Sequence, residues 1–208
     1  MASPNGSRIC DANRVALGAI DASVILTSPT QPFVFAAGVN DAGDRFRPEH
    51  TMTLSARAIG GTFAEVTTAS TTGPFIQTSE VLINNTAVTE ANRRAGLGGI
   101  GNFIVSGKEH TSANGLNHAL EVRGNHTEAQ WHLQFGTSAV ADRQWEFQVL
   151  WLGKDGNTTI TYPAMVTTAT GGGLGVERIL NPTVDVPAEG VSGELNVELI
   201  RARVLFFI

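Results

Sequence analysis

A side-chain alternation with a period of two, repeated along the chain where helical periodicity is scarce, constrains this sequence more than any other feature. In residues 145–152, WEFQVLWL, Trp145, Phe147, Val149 and Trp151 share one face. In residues 130–135, QWHLQF, Trp131, Leu133 and Phe135 do the same. Residues 51–58 set Met52, Leu54, Ala56 and Ala58 against Thr51, Thr53, Ser55 and Arg57. Residues 194–199, ELNVEL, set Leu195, Val197 and Leu199 against Glu194, Asn196 and Glu198. Successive side chains of a strand point to opposite faces, so each segment predicts a strand with one buried and one wet face.

Turn residues fall between these segments. Lys154-Asp155-Gly156-Asn157 separates WEFQVLWL from TTITY, and its Asp-Gly step predicts a tight hairpin. Gly60-Gly61 divides MTLSARAI from TFAEVTTA, and Pro182, Pro187 and Gly190 interrupt the chain before its last strands. The expected fold is all-β: an antiparallel β-sandwich, in jelly-roll form, over residues 51–208. Residues 1–50 are less regular and are expected to form an irregular N-terminal arm or a small accessory region. Within them, residues 1–14 offer few side chains that could pack and are expected to dock to a partner. One helix is expected in TEANRRA, capped by Thr89 and ended by Gly96. The charge-free stretches 66–79 and 158–176 are expected to be covered by neighbours, because exposed strands normally carry Lys and Glu.

Several classes of function find little support. With a net charge of −5 and dispersed Arg and Lys, the chain lacks the basic stripe that nucleic acid requires. No stretch approaches the roughly eighteen apolar residues of a membrane helix, so no membrane partner is expected. The start, MASPNGSRICDANR, has no basic segment followed by an apolar run, so no secretory leader is expected. Cys10 is the single cysteine, which rules out an internal disulfide and a thiolate metal cluster within one chain. It reads as a small packing residue.

The motifs that would carry chemistry are incomplete. Gly96, Gly98 and Gly101 spell G-x-G-x-x-G, and Glu121 follows at a suitable distance. A dinucleotide site needs a strand before the glycines and a helix after them. Here the helix-like TEANRRA precedes them and the strand-like NFIVSG follows. His110, His118, His126 and His132 are mis-spaced for the two-histidine pattern of a cupin metal centre, with Glu128 between the last two. His132, on the polar side of its strand, is expected to be solvated or at an interface. Trp131, Trp145 and Trp151 could stack sugars if exposed, but their in-register neighbours predict a core role. Asn84, Asn125 and Asn157 open N-x-T sequons, which a chain rich in Asn and Thr contains by chance. No catalytic residue, cofactor or metal is assigned, and the protein is expected not to be an enzyme.

The texture of residues 50–208 resembles that of bacteriophage virion proteins that decorate a capsid or form the globular head of a fibre. It rests on a Thr/Gly/Ala-rich β chain, the lone Cys10 and the apolar C-terminal segment ELNVELIRARVLFFI. The resemblance implies a structural protein of the virion that associates with itself as a trimer and attaches to capsid or tail proteins. Alternatives are a receptor- or glycan-binding fibre head and a cupin-like metal enzyme. The oligomer interface is expected on the C-terminal strand. There Arg201, Arg203, Leu205 and Phe207 share one face, and Ala202, Val204, Phe206 and Ile208 share the other. Arginine beside aliphatic and aromatic residues is the composition of an interface core.

Overall fold

A computed structural model of the chain describes residues 2–41, 47–96, 102–120, 125–153 and 156–169. These lie in a unit that spans Met1–Gly171, while Gly172–Ile208 form a second unit outside the described residues. The strands expected in 194–208, the interface residues Arg201, Arg203, Leu205 and Phe207, and the jelly-roll connectivity that those strands would complete therefore also lie outside them.

Among the described residues eleven strands run in order β1 (Ala2–Asp11), β2 (Val24–Leu26), β3 (Phe33–Asp41), β4 (Arg47–Ala58), β5 (Ala64–Glu65), β6 (Pro74–Ile76), β7 (Glu109–His110), β8 (Leu116–Leu120), β9 (Asn125–Phe135), β10 (Arg143–Gly153) and β11 (Gly156–Thr168). One five-stranded sheet has the order β1-β3-β9-β6 with β7 also on β9, and a six-stranded sheet has the order β2-β11-β10-β4-β5 with β8 also on β4. Pairing is antiparallel except for β2 on β11 and β7 on β9. The fold is an all-β sandwich, and the described residues contain no helix.

The alternation places the core as expected. Met52, Leu54, Ala56 and Ala58 of β4 are buried, and so are Phe147, Val149 and Trp151 of β10. Across from them, Phe35 lies 4.6 Å from Phe147, 5.7 Å from Tyr162 and 6.2 Å from Trp131, measured between ring centroids. The hairpin expected between β10 and β11 is present, and its ladder closes with Gly153 opposite Gly156. β5 and β8 share one edge of β4 and leave Leu54 between them. Asn114 fills that gap: its Oδ1 accepts from Leu54 N and Trp131 Nε1, and its Nδ2 donates to the carbonyls of Leu54 and Val66. One side chain thereby ties the two sheets together.

Three expectations are corrected. Residues 1–50 are not an arm, because β1 pairs with β3 along its length and β4 runs straight through residue 50. A strand needs backbone partners more than apolar side chains, and Ile9 and Cys10, on opposite faces of β1, are both fully buried. A bulge between Pro4 and Ser7 brings the Asn5 carbonyl so close to Gly38 that a Cβ there would sit 2.3 Å from it. The helix expected in TEANRRA is a single turn closed by bonds from Asn92 N and Arg93 N to the Thr89 carbonyl. The segment NFIVSG is not a strand: Phe103 makes only an isolated bridge to His126.

Candidate functional site

β9 is buried on both faces. Its inward side, with Ala129, Trp131, Leu133 and Phe135, belongs to the core. Its outward side carries His126, Glu128, Gln130 and His132, each at most 4 % exposed. The connection from Thr78 to Ala113 crosses this side and bonds to it. His132, expected in solvent or at an interface, donates from Nδ1 to the carbonyls of Thr78, at 2.9 Å, and Gln77, at 3.3 Å. Arg93 donates to Nε2 of His126 at 3.1 Å. Burial, helped in His126 by the Arg93 charge, pushes both imidazoles below their ordinary pKa. Their separation of six positions corresponds to about 20 Å of strand, too far to share an ion. His110 is buried, stacked 4.6 Å from the Trp131 ring with Nδ1 3.2 Å from the Ala113 carbonyl. Among the described residues no group of three or more His, Cys, Asp or Glu could hold a metal ion.

Glu128 is held in a cradle of main-chain amides. Its carboxylate accepts from Arg94 N, from Ala95 N at 2.7 Å, and from Gln130 Nε2 at 2.7 Å. Burial raises its pKa, and these donors oppose the rise. A second carboxylate, Glu109, pairs with Arg14 and accepts from Ile83 N at 2.7 Å. Arg14 occupies the left-handed region, φ 65°, and is 8 % exposed. Cys10 is fully buried, and desolvation pushes its thiol up to about 11, so it is neutral at physiological pH. These charged and polar groups are spent on holding the covering connection to the sheet. Of the glycine motif, Gly96 is described; Gly98, Gly101 and Glu121 lie outside the described residues, as does the His118 side chain.

A concave surface lies elsewhere, at one end of the sandwich. A groove of ≈ 370 Å³ opens where β4 ends, β10 begins and residues 66–74 cross from one sheet to the other. Its walls include Thr62, Glu65, Thr67, Ser70, Thr72 and Arg143, and Trp145 lies at its base. Trp145 is half-buried, with its ring 5.3 Å from Phe135 on one side and the Arg143 guanidinium 5.8 Å from its centroid. Trp131 and Trp151 are core residues, as expected. The neighbouring Arg57 is engaged by Glu146 at 2.6 Å and lies 4.4 Å over the Phe63 ring. Within the charge-free stretch 66–79, Thr67, Thr68, Thr71 and Thr72 are exposed on this chain, and Thr67 and Thr72 line the groove. Hydroxyls solvate that loop well enough to need no charge. Sequence reasoning missed the groove because its walls come from distant segments, and the Thr-rich run was its only local trace.

Comparison with protein-family models, curated proteins and solved structures finds no match to this chain.

Proposed function

We propose that the chain acts by binding rather than catalysis, as a structural protein of a virion that associates with itself and with capsid or tail subunits. The observation that carries this reading is the outward face of the six-stranded sheet. Thr51, Thr53 and Ser55 of β4 lie beside Gln148, Leu150 and Leu152 of β10, which lie beside Thr159 and Thr161 of β11. Pro163 and Met165 continue the β11 row, and all of these side chains are half-buried or exposed. Among the described side chains of this face Arg57 and Glu146 neutralise each other, and Glu65 of β5, beside Ser55, adds an exposed charge at the edge. A broad sheet face of hydroxyls and aliphatic groups loses little solvation when covered, whereas the Lys and Glu of an ordinary exposed sheet resist covering. The resemblance of the sequence to phage virion proteins supplies the context. The Arg201, Arg203, Leu205 and Phe207 face of the C-terminal segment is proposed as a self-association surface in a homotrimer.

Virions purified from the genome that encodes the chain are expected to contain it in many copies. Leu150→Asp is expected to fold, with unchanged circular dichroism, and to be lost from particles. Absence of the wild-type chain from washed particles would refute the reading. A glycan-binding head is the second reading, favoured by the groove beside Trp145.

A further inference from the structure

We propose that the groove at the Trp145 end of the sandwich binds a sugar ring that carries a carboxylate. This deepens the binding reading by naming a site and a ligand class.

The charges of the groove point to a ligand with both an anion and hydroxyls. Arg143 is exposed and makes no ion pair among the described residues, yet its guanidinium is positioned against the Trp145 ring. The indole lies within cation–π range of the guanidinium, and among the described residues no carboxylate engages its N–H fork, which suits two-pronged capture of a carboxylate. Glu65, also exposed and on the same groove, makes no ion pair with Arg143. The two are therefore available separately: Arg143 for an anion, Glu65 as an acceptor for hydroxyl protons. Arg57 is already neutralised by Glu146, so among the described residues the groove has a single free cation. One free cation matches one carboxylate and falls short of a phosphate dianion, which usually recruits several donors.

The rest of the lining suits a polyhydroxylated ring. The hydroxyl of Ser70 accepts from Gly73 N and still has its proton to donate. The hydroxyl of Thr67 donates to the Ala69 carbonyl and still has acceptor capacity. Thr62 and Thr72 add two more hydroxyls to the walls. Gly73 lies against the rim of the indole: a Cβ there would sit 3.3 Å from Trp145 Cη2, so a side chain would crowd the base of the groove. The volume of ≈ 370 Å³ falls at the small end of ligand sites and accommodates one or two sugar rings. An aromatic base with hydroxyl walls and few charges is how a protein grips sugars, whose ring faces are apolar and whose edges are polar.

The chain has three tryptophans, so its ¹H–¹⁵N spectrum should show three indole cross-peaks, with that of Trp145 assigned by its loss in Trp145→Phe. Full-length protein is titrated to millimolar concentrations of the methyl glycosides of N-acetylneuraminic acid and glucuronic acid. Methyl galactoside, acetate and glycine serve as controls. The expected result is a saturable shift of the Trp145 peak with at least one acidic sugar, with the Trp131 and Trp151 peaks still. Arg143→Gln is expected to weaken that binding about tenfold, or ~1.4 kcal/mol. Arg143→Lys should fall between Gln and wild type, since it keeps the charge and loses the fork. No shift with either acidic sugar, equal binding of methyl galactoside, equal binding of acetate or glycine, or affinity unchanged in Arg143→Gln would each overturn the proposal. Because particle association is measured separately, failure here leaves the virion reading to its own test.

Discussion

Replacing Glu109 by Gln is expected to destabilise the protein through Arg14 more than through Glu109 itself. The two side chains form an ion pair with 7 % and 3 % of their surfaces exposed. Gln retains a carbonyl oxygen that can accept from Ile83 N, so the bond that Glu109 Oε2 makes at 2.7 Å has a replacement. What disappears is the negative charge, leaving a guanidinium in a site that water scarcely reaches. Removing one partner of a buried pair costs about 3–5 kcal/mol, because the other keeps its desolvation penalty without compensation. For a chain of this size that corresponds to a fall in Tm of about 10 °C. Adding Arg14→Met to Glu109→Gln removes the orphaned charge and is expected to recover most of the loss. The left-handed φ of 65° at residue 14 is paid by Arg and Met alike, so it cancels in the comparison. Urea unfolding of wild type, both single variants and the double variant completes the cycle. A loss below about 1 kcal/mol for Glu109→Gln, with unchanged m, would show that Arg14 finds water or another acceptor. A double variant no more stable than Glu109→Gln would show that packing, not charge, sets the cost.

Further outcomes follow from the same layer and from the core. Ile9→Ala in β1 should cost about 2–5 kcal/mol in urea unfolding, whereas a detached arm would tolerate it at almost no cost. Asn114→Ala should cost about 2–3 kcal/mol, since it strands Leu54 N and Trp131 Nε1 without acceptors; a change within a few tenths would mean that water replaces the amide. Burial holds His132 below the 6.5 of an exposed imidazole, so the unfolded chain takes up its proton first. The stability that depends on neutral His132 should be complete above pH 6.5 and lost as the pH falls through the folded value. His132→Gln should flatten that part of the Tm–pH curve, and an unchanged slope would exclude His132 as its source. Cys10, with its thiol pushed up to about 11, should resist disulfide reagents at neutral pH in the folded protein and react on addition of denaturant. Rapid labelling without denaturant would contradict its burial.

By itself the sequence determined the strands, their faces and one hairpin. Met52 to Ala58 alternate strictly and Trp145 to Val149 do so too, and alternation is a local property of the backbone that needs no knowledge of what lies across the sheet. The same pattern, however, reports only that two sets of side chains part company, not what covers each set. In β9 the apolar set was legible, but the burial of His126, Glu128, Gln130 and His132 depends on the Thr78–Ala113 connection folding over them. A buried polar face looks like a wet one in sequence, because side-chain chemistry is the same in both and only the hydrogen-bond partners differ. β1 escaped notice for a related reason: its place is fixed by main-chain bonds to β3, which polar residues make as well as apolar ones. The groove was settled by tertiary structure alone, since Arg143, Trp145 and the 66–74 crossing meet only when the two sheets are stacked.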